Sequence, residues 1–155
     1  MKTLLISILL FFSLGGSCEL IEGLQLEKII DGDTVYGSLN GETYKIRLAE
    51  IDAPERDQPF GRQSKVFLRD LLKDGEFSAD ISDQDQYGRY IARLYDNGVD
   101  INRAMVLAGM AWVYDDYVKD KTFYLNQREA QEQKKGIWSK RYPAPPWEWR
   151  KARRR

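Results

Sequence analysis

The sequence predicts an α+β domain dominated by a small, five-stranded Greek-key β-barrel with three α-helices. Three observations predict it. Five segments have strand character, and the second and third flank an Asn-Gly pair, a strong hairpin signal. A segment of helical period follows the third strand, and two more follow the fifth. Short strands interrupted this way suit a closed barrel of the oligonucleotide-binding type.

The elements follow in order. Gln25 to Ile30, Thr34 to Leu39 and Thr43 to Ile51 read as strands, with the turn at Asn40-Gly41. Gly61 to Lys73 reads as a helix, because Phe67/Leu71 and Leu68/Leu72 repeat at i,i+4 and Asp74-Gly75 ends the pattern. Glu76 to Ile81 and Tyr90 to Tyr95 return to strand character. Asp100 is a natural N-cap for a helix with Ile101, Ala104, Met105 and Ala108 on its apolar stripe, closed by Gly109. Ala111 to Val113 is a short strand, and Lys121 to Lys135 a third helix before Gly136. Pro143, Pro145 and Pro146 are expected to exclude further regular structure.

The domain plan is therefore a leader over 1–17, a spacer over 18–24, the barrel domain over 25–142 and a tail over 143–155. With 155 residues the chain can bury one real core but not two. The leader joins Lys2 to the apolar run Leu4–Phe12, too short for a mature span, and to Gly15, Gly16 and Ser17. It reads as an export signal, so the protein is expected outside the cytoplasm. Cys18, the only cysteine, stands where a lipoprotein signal places its lipidated residue. Leu14 stands one position earlier than such a signal prefers. Membrane attachment through a lipidated Cys18 and plain secretion are both open.

Composition excludes several chemistries. There is no histidine, so no Ser-His-Asp triad, imidazole acid-base pair or histidine zinc site exists. A lone cysteine makes no internal disulfide. Lys+Arg and Asp+Glu balance at 24 each, but Lys2 and the tail residues Arg150, Lys151, Arg153, Arg154 and Arg155 hold six of the basic groups. The body is acidic, and a polyanion must be met there by local arginines or a bound cation. The tail reads as a solvated end or as an auxiliary contact for a polyanion.

Three segments carry chemistry. Asp31-Gly32-Asp33-Thr34 sets two carboxylates about a turn. Alone it reads better as a solvated Asp-Gly turn. Asp52-Ala53-Pro54-Glu55 hangs two carboxylates on a turn stiffened by proline. One can bind a cation while the other faces water. Alone it is equally a strand end with acidic decoration. Arg47 and Arg89 offer planar forks for phosphate oxygens; the plain alternatives are a strand arginine paired with a surface carboxylate for Arg47, and a hairpin turn with core-facing aromatics for the segment of Arg89. Tyr87 can stack on a base, whereas Tyr90 reads as a core-facing aromatic.

Taken together, Asp33, Arg47, Asp52, Glu55 and Arg89 resemble the site of the staphylococcal nuclease family. The resemblance runs from about Leu26 to Trp138. It implies the five-stranded oligonucleotide-binding barrel with three helices. It implies Ca2+ held by the side chains of Asp33 and Asp52 and the backbone carbonyl of Ala53. Glu55 is then the group that positions or deprotonates water, Arg47 and Arg89 bind the scissile phosphate, and Tyr87 contacts a nucleotide. A second family tyrosine maps near Asp115, with Tyr114 and Tyr117 close by. The implied activity is calcium-dependent endonuclease cleavage of DNA and RNA, leaving 3′-phosphate ends, by a monomer. The competing readings are a non-catalytic nucleic-acid-binding module of the same fold, and a surface lipoprotein whose acidic cluster binds calcium for stability.

Overall fold

The computed structural model describes residues Glu19–Arg154. The leader and Cys18 lie outside the described residues. Strand β1 (Glu19–Ile29) pairs antiparallel with β2 (Thr34–Leu39), and β2 with β3 (Glu42–Leu48). The connecting turn passes through Asn40 and Gly41, both with left-handed φ of 53° and 84°, as the Asn-Gly signal requires. Short β4 (Ile51–Asp52) and helix α1 (Gly61–Leu71) follow. Then come β5 (Glu76–Gln84), β6 (Tyr90–Asp96), β7 (Val99–Asp100) and α2 (Ile101–Leu107). Short β8 (Trp112–Val113) pairs with β4, before α3 (Phe123–Glu132), a 3₁₀ turn over Gly136–Ser139 and α4 (Pro146–Arg153).

The sheet order β3-β2-β1-β5-β6 is closed by parallel pairing of β3 with β6, which makes the five-stranded barrel, and β7 extends the edge of β6. β1 serves two neighbours, with bulges between Ile21 and Leu24 and between Leu26 and Lys28. Bulges bend a strand and increase its twist, which lets one strand wrap around a small barrel. Leu24, Val35, Ile46, Leu48, Ala92 and Leu94 fill the interior with no more than 1% exposure. Each large apolar side chain so buried stabilises the fold by about 1.5–3 kcal/mol.

Asp100 caps α2 as predicted, its carboxylate accepting from the Arg103 N–H at 2.9 Å. Asn102, fully buried, fastens α2 to the barrel. Its Nδ2 donates to the carbonyls of Ala49 at 2.9 Å and Ala92 at 3.1 Å, and its Oδ1 accepts from the Leu94 N–H at 3.1 Å.

Two expectations are corrected. Residues 18–24 are not all spacer, since β1 begins at Glu19 and pairs Glu19 with Ile81. Regular structure does not stop at Pro143 either. α4 starts on Pro146 at a first-turn position, where proline's missing N–H has no helical acceptor to lose. Among the described residues there are thus four α-helices, not three.

Candidate active site

Strand register brings the first carboxylate to the first arginine. Thr34 pairs with Arg47 across β2 and β3, and the Leu48 N–H donates to the Asp33 carbonyl at 2.8 Å. Asp33 therefore sits beside the Arg47 side chain, its Oδ1 3.2 Å from Nε. The other oxygen, Oδ2, accepts from the Ala53 N–H at 2.7 Å. Asp31 tightens the turn by accepting from the Asp33 N–H at 3.1 Å. Gly32 fits only because it lacks a Cβ, which would lie 2.6 Å from Ser64 Cβ and 2.7 Å from Ala53 Cβ.

β4 supplies Asp52, whose Oδ1 accepts from Arg47 Nη2 at 3.0 Å. Arg47 also donates through Nη1 to the carbonyls of Leu48 at 2.7 Å and Ile51 at 2.9 Å. One guanidinium thus joins Asp33, Asp52 and the turn between them. Asp52 is 1% exposed and Asp33 5% exposed, so both charges are held against desolvation by these contacts. Glu55 follows in the loop before α1. Its N–H donates to Gln58 Oε1 at 3.0 Å. Gly61 packs so closely beneath that a Cβ there would lie 1.9 Å from the Glu55 carbonyl.

These groups line an open cleft of about 1000 Å³. Arg89 lines it too, but from the β5–β6 turn. Its Nε donates to Asp85 Oδ2 at 2.8 Å, and its guanidinium lies 5.7 Å from the centre of the Tyr87 ring. Asp33, Arg47 and Asp52 are in direct contact, whereas Arg89 reaches the same cleft through a separate ion pair. Tyr87 is 72% exposed at the tip of that turn. Tyr90 packs against Tyr44 at 5.4 Å and against the core, as read from the sequence. Near position 115 the structure separates the tyrosines. Tyr117 is exposed on the cleft, and Asp115 points elsewhere, accepting from the Tyr124 hydroxyl at 2.6 Å. Tyr114 lies parallel to Trp147 of α4 at 5.4 Å.

The largest surprise is a third guanidinium. Arg150 of α4 donates through Nη2 to Asp52 Oδ2 at 2.8 Å, and through Nη1 to Asp52 Oδ1 at 3.2 Å and Glu55 Oε1 at 2.7 Å. Sequence reading placed this residue in a tail. The available signal was Pro146 followed by nine residues without a helix breaker, which fits a helix with proline in its first turn.

The electrostatics of this end of the cleft are those of surplus negative charge. Burial and then the Asp33 carboxylate push the Asp31 carboxyl up from 3.8 to about 6. Burial also pushes Asp52 up, against the pull of Arg150 and Arg47. Among the described residues, no three carboxylates converge into a cation cage. The donor set still fits a hard cation. Among the described residues, Asp33, Asp52 and Glu55 form ion pairs with Arg47 and Arg150, Asp31 adds a fourth carboxylate, all donors are oxygens, and a divalent ion would balance the excess.

A family model described as staphylococcal nuclease homologue matches residues 45–140. The chain belongs to the staphylococcal nuclease family. A protein from Escherichia coli named "Uncharacterized endonuclease" is 38% identical over 144 residues, covering 92% of this chain and 94% of its own. One of the same name from Haemophilus influenzae is 38% identical over 152 residues, covering 97% and 85%. A protein named "Micrococcal nuclease" from Shigella flexneri is 38% identical over 139 residues, covering 83% and 80%. Within the staphylococcal nuclease family, five-stranded closure of the barrel is the fold expected from the sequence, and it is the fold observed.

Proposed function

We propose that this protein is a calcium-dependent endonuclease that hydrolyses phosphodiester bonds of DNA and RNA and leaves 3′-phosphate ends. The observation that carries the reading is Arg47 gripping Asp33 and Asp52 together at one wall of a cleft that also holds Glu55 and Arg89. Membership of a nuclease family and relatives named as nucleases support it.

In this reading Asp33, Asp52 and the Ala53 carbonyl hold Ca2+. When bound, the ion supplies Lewis-acid neutralisation of phosphate charge. Glu55 orients the attacking water and accepts its proton. The water oxygen bonds to phosphorus, the P–O5′ bond breaks, and the O5′ leaving group takes up a proton. Arg47 and Arg89 hold the phosphate oxygens as negative charge accumulates there, each worth a few kcal/mol where water is excluded. Tyr87 offers its exposed ring to a base.

A plasmid and an RNA are incubated with the protein in EGTA and in millimolar calcium. Cleavage is expected only with calcium, since a site with so few protein ligands binds the ion at about 10⁻⁴ to 10⁻³ M. Full cleavage in EGTA would sink the calcium assignment, and no cleavage in either would leave a binding module. We further propose export, by the leader over 1–17, to a compartment where calcium is plentiful. Fractionation tests this. The mature protein is expected outside the cytoplasm, retained on membranes if Cys18 is lipidated and released by Cys18→Ser. A full-length cytoplasmic form defeats the proposal.

A further inference from the structure

Arg150 is not a stray side chain resting on the cleft. α4 carries it there and is itself fastened at several points. The Trp147 ring stacks parallel to Tyr114, with a 2° interplanar angle, and meets Trp112 edge-on at 5.8 Å. The segment before the helix is held by Gln58, whose Nε2 donates to the Ala144 carbonyl at 2.7 Å. The same Gln58 accepts from the Glu55 N–H, so one side chain ties the Glu55 loop to the approach of α4. Arg153 pairs with Asp57 on the outer side of the helix, and Trp149 Nε1 donates to Asp57 at 3.4 Å.

The chemistry of the contact is specific. The planar fork of Arg150 engages both oxygens of Asp52, and one of its nitrogens bridges to Glu55. Asp52 is buried and Glu55 is 36% exposed at its side chain, so the bridge ties a partly exposed carboxylate to a buried one. A guanidinium in that place has two consequences. It repels a cation approaching Asp52 and occupies lone pairs the cation would use. It also holds the Glu55 carboxylate in one orientation, as only a forked donor spanning both groups can do.

We propose that Arg150 is a positioning residue of the active site, acting through Asp52 and Glu55. It sets the affinity of Asp52 for the cation and the orientation of Glu55 toward water. The fork yields Asp52 as the cation enters, while Nη1 stays on Glu55. This rests on the reading of Asp52 as a cation ligand.

The test compares the parent with Arg150→Met and Arg150→Lys. Calcium binding is measured by calorimetry on the full protein without nucleic acid, and thermal midpoints confirm folding. Arg150→Met removes the competing charge and is expected to bind calcium about tenfold more tightly. At saturating calcium its kcat is expected to fall about tenfold, with substrate KM little changed, because Glu55 has lost its anchor. Arg150→Lys keeps the charge but cannot bridge both carboxylates. It is expected to restore parental calcium affinity and only part of kcat. A folded Arg150→Met variant with parental or weaker calcium affinity overturns the proposal, and so does tighter binding with undiminished kcat. A parent that binds calcium and cuts nothing refutes the nuclease reading instead, and the affinity comparison still decides the cation half of this one.

Discussion

Arg47 and Arg89 are both guanidiniums on the cleft, yet they are held in opposite ways. Arg47 makes four contacts, to Asp33, Asp52 and the carbonyls of Leu48 and Ile51, and is part of the fold. Among the described residues Arg89 has one ion-pair partner, Asp85, beside the Tyr87 ring at a solvent-facing turn. Lysine in either place keeps the charge and loses the fork. Both Arg47→Lys and Arg89→Lys are expected to slow cleavage by roughly 10² or more. Only Arg47→Lys should also lower stability, by about 1–3 kcal/mol, because buried acceptors lose their donors. Steady-state cleavage and urea unfolding read the two effects separately. Glu55→Gln should slow cleavage comparably without weakening oligonucleotide binding. If all three cut like the parent, the active site lies elsewhere. The convergence of Asp33, Arg47, Asp52 and Glu55 on one cleft was legible because its signals are local. Asp33 and Arg47 face each other across one hairpin, and Asp52 and Glu55 share one turn. Arg150 was not legible, since it meets Asp52 across 98 residues of chain and no local pattern encodes that docking.

Elements whose signals are local were read correctly, and those defined by a distant partner were not. The Asn40-Gly41 hairpin and the Asp100 cap each lie within a few residues of what they specify. The first residues of β1 become strand only because β5 supplies a partner, with Leu20 opposite Asp80. α4 is a short helix, too short to be stable alone, and its tertiary contacts through Trp147 give it a place. The start of α1 shows how an element sets the site. Gly61 lies directly under the Glu55 carbonyl, so Gly61→Ala must displace either the helix or the Glu55 loop. Overpacking of this kind is expected to cost about 1–3 kcal/mol. Cleavage per folded molecule should fall as well, which an effect on stability alone would not produce. Parental activity per folded molecule would show that the Glu55 loop tolerates the shift.

At the scale of the whole molecule, an ion-pair network joins the barrel to α2 and to the segment that leads into α3. Asp120 is its meeting point. Its Oδ2 accepts from Arg93 Nη2 on β6 at 3.2 Å and from Arg103 Nη2 on α2 at 3.1 Å. Its Oδ1 accepts from Thr122 Oγ1 at 2.6 Å and from the Thr122 N–H at 3.0 Å. The other charged groups around it are Asp100, 3.8 Å from Arg93 and 3.7 Å from Arg103, and Glu50, bonded to Arg93 and to the Asp120 N–H. The Thr122 hydroxyl and N–H, and then Arg93, hold the Asp120 carboxyl at about 2, below its ordinary 3.8. A carboxyl depressed by folding stabilises the native state above its unfolded value and loses that contribution as pH falls through its folded value. The Asp120 contribution should therefore be complete above pH 3.8 and disappear towards pH 2. Asp120→Asn isolates it from the other carboxylates, which titrate in both proteins. The parent is expected to be the more stable near neutrality, with the difference in urea midpoint shrinking between about pH 4 and pH 2. A difference that stays constant across that range would mean that the Asp120 charge contributes nothing to joining the barrel and its helices.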